Sequence, residues 1–123
     1  MKRLTVGIPA YKAQDHICDC LASIQIQTVK KDVAVIIASD NPEDDYTFTK
    51  KRFPDLDIEI LPCEKNTGAG LSRQRALQAC KTEWITFIDA DDVFYTPLSL
   101  EVLLKGIAPN VIEVQGAFLQ EIQ

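Results

Sequence analysis

Val33–Ala38 (VAVIIA) is a continuous apolar, largely β-branched run. Successive side chains of a strand point to opposite faces, so a run apolar at every position needs cover on both sides, as in a parallel sheet flanked by helices. The rest of the chain fits that demand. Leu4–Ile8 reads as a first strand ended by Pro9, and Asp15 can cap a helix whose apolar face is Ile17, Leu21 and Ile24 and which should end near Thr28. The second strand stops at Ser39-Asp40-Asn41-Pro42, which is loop chemistry. Glu43–Phe53 reads as a polar helix with Pro54 beyond it, and Ile58–Leu61 as a third strand. Lys65–Gly70 (KNTGAG) is a glycine-bearing loop, and Leu71–Cys80 a helix whose small Ala76, Ala79 and Cys80 allow close packing on a sheet. Trp84–Ile88 is a fourth strand running straight into Asp89-Ala90-Asp91-Asp92. Thr96-Pro97 offers a cap and first-turn proline for a helix striped by Leu100, Leu103, Leu104 and Ile107 and stopped by Gly106; Val111–Leu119 reads as a last strand. Strands alternating with helices imply right-handed crossovers, a mainly parallel sheet and helices on both faces: an α/β fold.

At 123 residues the chain fits a single domain, 1–123, large enough to bury an ordinary core without staples. A net charge of -5 argues against nucleic acid as the main partner, because phosphate backbones attract basic surfaces, but not against a small phosphorylated ligand. No apolar run approaches a membrane span. Met1-Lys2-Arg3 leads into too short an apolar stretch for a signal peptide, so the expected compartment is the cytoplasm and the four cysteines are expected to be reduced. Cys18 and Cys20, with His16 nearby, lack the spacing of a structural zinc site and read as buried or idle thiols.

In an open parallel sheet, ligands bind outside the carboxyl ends of the strands. Those ends carry Pro9-Ala10-Tyr11, Asp40-Asn41 and Asp89-Ala90-Asp91-Asp92. Three aspartates within four residues repel one another unless something positive lies between them. A hard divalent cation resolves the conflict, since Mg2+ or Mn2+ takes carboxylate and phosphate oxygens; a solvated acidic turn is the plainer reading. The KNTGAG loop either permits a tight entry into its helix or brings backbone amides and Arg75 near an anionic or ribosyl group. Tyr11 can flank a planar base or sit in a surface turn, and Asp40 can accept from a pyrimidine N–H or serve the turn. Asp44 and Asp45 read as solvated helix charges and His16 as a surface residue without a triad partner.

Five ordered motifs carry a resemblance: VGIPAYKA at the first strand, SIQIQT at the first helix end, VIIASDNPEDD at the second strand, NTGAGLSRQRAL in the middle and ITFIDADD at the fourth strand. From Leu4 to about Leu119 the chain resembles the N-terminal, donor-binding half of family 2 glycosyltransferases, which have a GT-A fold. The resemblance implies an inverting transfer from a nucleotide-diphosphate sugar, usually a UDP-sugar, to an acceptor hydroxyl, with Mn2+ or Mg2+ bridging protein and diphosphate. By position, Pro9, Ala10 and Tyr11 would line the nucleoside pocket, Asp40 would read the uracil ring, and Asn66, Gly70 and Arg75 would lie near the nucleotide. The D-x-D motif maps to Asp89-Ala90-Asp91, with Asp91 and Asp92 as metal ligands and Asp89 toward ribose or sugar.

Two departures matter. The Asp-Asp-Gly-Ser common after strand two is Ser39-Asp40-Asn41-Pro42 here, which weakens the base preference. Only 31 residues follow Asp92, where the family continues into an acceptor-binding half with the catalytic base; Glu101, Glu113 and Glu121 sit in no recognisable base motif. A truncated or a short natural form is therefore expected, with a non-catalytic nucleotide-sugar-binding module acting with a partner chain as the alternative reading; a homo-oligomer is a further partner expectation. ITFIDADDV also fits locally the nucleophile motif of haloacid-dehalogenase-type phosphohydrolases, but that motif normally opens its fold and here lies too near the end.

Overall fold

The computed structural model describes residues 2–106. Within them lie the strands β1 (Leu4–Ala10), β2 (Val33–Ser39), β3 (Asp57–Leu61) and β4 (Trp84–Phe87), and the helices α1 (Ile17–Gln25), α2 (Phe48–Arg52), α3 (Ala69–Ala79) and α4 (Ser99–Lys105). The strands form one parallel sheet in the order β3-β2-β1-β4. The chain steps outward from β1 to β3, and α3 then carries it back to the far side of β1. Right-handed crossovers in opposite directions must use opposite faces of the sheet. Accordingly α1 packs on one face and α3 on the other.

Alternation along the strands divides the core. Leu4, Val6, Ile8 and Ala10 of β1 join Val33, Val35 and Ile37 of β2, Ile17, Leu21 and Ile24 of α1, and Leu100 and Leu104 of α4. The opposite face holds Ile36, Ala38 and Ala76, with Phe87 and Ala79 packed against them. Full burial of a large aliphatic side chain contributes about 1.5–3 kcal/mol relative to exposure. The α1 side, where Ile8, Ile17, Leu21, Ile24, Ile37 and Leu100 are fully buried, therefore outweighs the α3 side. The α3 side is thin because its residues are small: a Cβ at Gly7 would lie 2.8 Å from Cε1 of Phe87, its partner in the sheet, and 3.5 Å from the Cβ of Ala76.

Several expected boundaries shift for identifiable reasons. Pro9 does not end β1, which runs to Ala10. The Gly7 carbonyl accepts from Ile88 N–H on the β4 side and the Ala10 carbonyl from Asp40 N–H on the β2 side. Pro9 shares Gly7's side, beyond the last β4 pair, so a residue without an N–H stands where the β1–β4 ladder goes no further. Asp15 does not cap α1: the N-cap is His16 without a side-chain bond, the Ala13 carbonyl receives the N–H of both His16 and Ile17, and the helix ends at Gln25. The polar helix expected over Glu43–Phe53 shrinks to Phe48–Arg52. Asp44 and Asp45 instead accept hydrogen bonds from neighbouring loop groups, the competition that makes aspartate a poor helix interior. Thr96 caps a turn rather than the helix: its Oγ1 accepts Leu98 N–H at 3.1 Å, and α4 begins at Ser99. Gly106 stands at the end of α4 as expected, whereas Ile107 and the Val111–Leu119 strand lie outside the described residues.

Gly7→Ala should destabilise the fold by about 1–3 kcal/mol through overpacking against Phe87. Gly70→Ala, where a Cβ meets nothing within 4 Å on exposed α3, should be neutral or stabilising by up to ~1 kcal/mol. Urea unfolding of the two variants checks the contrast; equal behaviour would show that the Gly7–Phe87 approach is not limiting.

Candidate functional site

The winding direction reverses at β1, since β1 leads to β2 on one side and β4 lies on the other. A reversal of this kind opens a crevice outside the carboxyl ends of the two strands. A cavity of about 350 Å3 occupies that position, at the lower end of the range for small-molecule sites. Its walls come from Pro9, Ala10 and Tyr11 at the end of β1, Asp40 after β2, Ala69 and Arg73 of α3, and Asp89, Ala90 and Asp91 after β4. Lys12, Ala13 and His16 complete it. The structure thus gathers the three strand ends that the sequence singled out.

The acidic wall is a turn in which Asp92 N–H donates to the Asp89 carbonyl at 3.0 Å. One carboxylate oxygen from each of Asp89, Asp91 and Asp92 lies within 4.8 Å of the others. Hard oxygen donors so close together fit a divalent cation such as Mg2+ or Mn2+. Arg73 Nη2 reaches Asp89 Oδ1 at 3.2 Å; both side chains are largely exposed, so the pair contributes little to stability and leaves the guanidinium available. Cys20 lies buried nearby: burial first, then the charges of Asp92, Asp89 and Asp91, push its thiol up to about 12. It stays protonated and packs in the core beneath the charges.

Asp40 is buried and already engaged. Its Oδ1 accepts Thr67 N–H at 2.7 Å and the Thr67 hydroxyl at 3.2 Å, and its Oδ2 accepts Gly68 N–H at 2.9 Å. Gly68, with φ of 94°, takes a conformation that suits glycine and forms the N-cap of α3. The carboxylate therefore fastens the start of α3 while facing the cavity, and two oxygens with about four lone-pair sites retain capacity for a further donor. The amides expected to meet an anion at this loop are those that Asp40 occupies.

Arg75 needs correction. Its Nη2 donates to the Ser39 carbonyl at 2.6 Å and its Nη1 to the Pro62 carbonyl at 3.2 Å, so it ties the ends of β2 and β3 instead of lining the cavity. Arg73 lines it. Arg73 lies four residues after Ala69 and shares its face, whereas Arg75 turns away, a choice that the helical period settles only once the face of α3 that meets the cavity is known. Asn66 and Gly70 do not line the cavity either. Asn66 Oδ1 accepts Gly68 N–H at 3.2 Å, and Gly70 is exposed on α3. Tyr11 is 49% exposed at the rim, with the Lys12 ammonium 5.3 Å from its ring centroid. His16, taken from sequence as an ordinary surface residue, is exposed but belongs to the cavity wall. Among the described residues no helix is long and apolar enough to cross a membrane.

Comparison with known proteins agrees with this architecture. A glycosyltransferase, GlyA of Streptococcus pneumoniae, is 31% identical over 91 residues, covering 73% of this chain and 13% of the relative. The fold matches S. aureus TarS, residues 1–349, in complex with UDP-GlcNAc (TM-score 0.75, 24% identity, 84% of this chain and 30% of that one). It equally matches the mannosyltransferase PcManGT of Pyrobaculum calidifontis in complex with GDP-Man and Mn2+ (TM-score 0.75, 22% identity, 84% and 31%). The chain thus spans a minor part of the length of these proteins. Residues 5–118 match the model for glycosyl transferase family 2, and with the GT-A sheet and its crevice in place the chain belongs to that enzyme family.

Proposed function

We propose that residues 1–123 form a single nucleotide-sugar-binding domain that holds the donor, a UDP-sugar, for transfer to an acceptor hydroxyl. The observation that carries this reading is the cavity itself, lined by a planar tyrosine, a buried acceptor and the Asp89 and Asp91 carboxylates, on which Asp92 converges. Tyr11 would flank the uracil ring above Pro9 and Ala10, and Asp40 would accept the ring N–H with the capacity left after Thr67 and Gly68. Asp91 and Asp92 would hold Mn2+ or Mg2+, completing the Asp89-Ala90-Asp91 D-x-D arrangement. Asp89, oriented by Arg73, would meet the ribose or sugar. When bound, such an ion supplies charge stabilisation on the departing diphosphate. Arg73 adds a positive group at the same wall, the place that Arg75 cannot fill.

Transfer with inversion requires a carboxylate base that deprotonates the acceptor hydroxyl as it attacks the anomeric carbon. Glu101 does not line the cavity. It accepts from the Thr28 hydroxyl at 2.6 Å and pairs with Lys105 at 3.0 Å, and these partners hold its carboxyl below the usual range. Glu113 and Glu121 lie outside the described residues. The dehalogenase-type reading falls with the family membership.

Calorimetry should show UDP binding that strengthens with Mn2+, and Asp91→Ala should weaken the Mn2+-dependent binding by about tenfold or more, about 1.4 kcal/mol. Binding indifferent to both the ion and the substitution would refute the assignment. Arg73→Ala should weaken UDP binding severalfold without affecting urea unfolding. Arg75→Ala should do the opposite, lowering stability by roughly 1–3 kcal/mol as the Ser39 and Pro62 carbonyls lose their charged partner.

A further inference from the structure

Tyr11, Lys12 and Ala13 form a continuous stretch of the cavity wall, and its central residue is held in an uncommon backbone conformation. Lys12 has φ of 49°, in the left-handed region that non-glycine residues seldom occupy. What holds it there comes from the loop between β2 and α2. Asp44 Oδ2 accepts Lys12 N–H at 2.6 Å and the Tyr46 hydroxyl at 2.9 Å, while Oδ1 accepts Gln14 Nε2 at 3.0 Å and Asn41 Nδ2 at 3.1 Å. The Tyr46 oxygen in turn accepts Ala13 N–H at 3.1 Å. Two consecutive wall amides are thus pinned by two side chains that also bond each other. Tyr46 is only 1% exposed, and neither it nor Asp44 lines the cavity.

The protonation states suit this arrangement. Burial opposes the charge on Asp44, but its donors, Lys12 N–H first and then Tyr46, Gln14 and Asn41, hold its carboxyl below the ordinary range. Burial, with the Asp44 charge beside it, pushes the Tyr46 phenol up, although the Ala13 N–H works against this. At neutral pH one group is therefore a charged acceptor and the other a retained donor.

We propose that Asp44 and Tyr46 are positioning residues that preset the Tyr11–Ala13 wall for the nucleoside of the donor, and so set donor affinity without touching it. The inference rests on the nucleotide-sugar reading above. Its energetic logic is population: a wall that is competent only part of the time weakens apparent affinity by that fraction. Left unclamped, Lys12 would leave the left-handed region most of the time, so a loss of roughly 5- to 20-fold is expected.

The test compares three ligands on the same chain: UDP with Mn2+, inorganic pyrophosphate with Mn2+, and Mn2+ alone, by calorimetry and electron paramagnetic resonance. Tyr46→Phe keeps the buried ring and removes the hydroxyl; Asp44→Asn, at a half-exposed position, provides a second variant should the first fail to fold. Both should lose roughly 5- to 20-fold for UDP and change little for pyrophosphate and Mn2+. Adding Lys12→Asn, which tolerates the left-handed region, should recover part of the UDP affinity. Folded variants that bind UDP like the wild type, or that lose all three ligands in proportion, overturn the positioning role. Failure of the wild type to bind UDP would instead sink the nucleotide-sugar reading, and this inference with it.

Discussion

β1 is buried at every residue, paired with β2 along its whole length and with β4 over its first half, and covered by helices on both faces. A strand so enclosed can bring polar chemistry to water only at its end. That constraint orders the rest of the molecule. The reversal of winding around β1 leaves a gap beside that end, and the loops after β1, β2 and β4 converge on it. The packed sheet supplies rigidity, while the loops supply the carboxylates and the tyrosine, and α3 the arginine. The family membership then attaches a chemistry to an architecture that would otherwise fit many ligands.

The two walls of the cavity are built on different principles. The acidic turn concentrates charge with one exposed arginine beside it, an arrangement that gains by taking up a cation. The Tyr11–Ala13 wall is governed by hydrogen bonds that fix backbone direction. Asp40 joins the two halves, since the carboxylate that faces the cavity also fastens the entry to α3, the helix from which Arg73 projects. The position of Arg73 is thereby tied to the end of β2.

Much of this was legible in the sequence because periodicity and turn chemistry are local. The doubly apolar VAVIIA run, the Ile17–Leu21–Ile24 stripe and the strand leading into Asp89-Ala90-Asp91-Asp92 each announce their place. What was not legible is contact between segments far apart in the chain. Nothing near Asp44 indicates that its partners are Lys12 and Gln14, some thirty residues earlier, so it passed for a solvated helix charge. Choosing between Arg73 and Arg75 required knowing which face of α3 meets the sheet, and resemblance of motif pointed to the wrong one of the pair. Helix starts also misled, because Asp15 and Thr96 have the chemistry of caps without standing at the first turn.

Pro9 has an effect beyond fitting where no partner stands. In a parallel ladder, Ile88, which donates to the Gly7 carbonyl, would next accept from the N–H of residue 9. Proline has none to give. The zipper between the two strands cannot continue past that point, and after Ile88 the chain goes on as the acidic turn. The two strands thus part company beside the crevice, whose wall includes Pro9 itself.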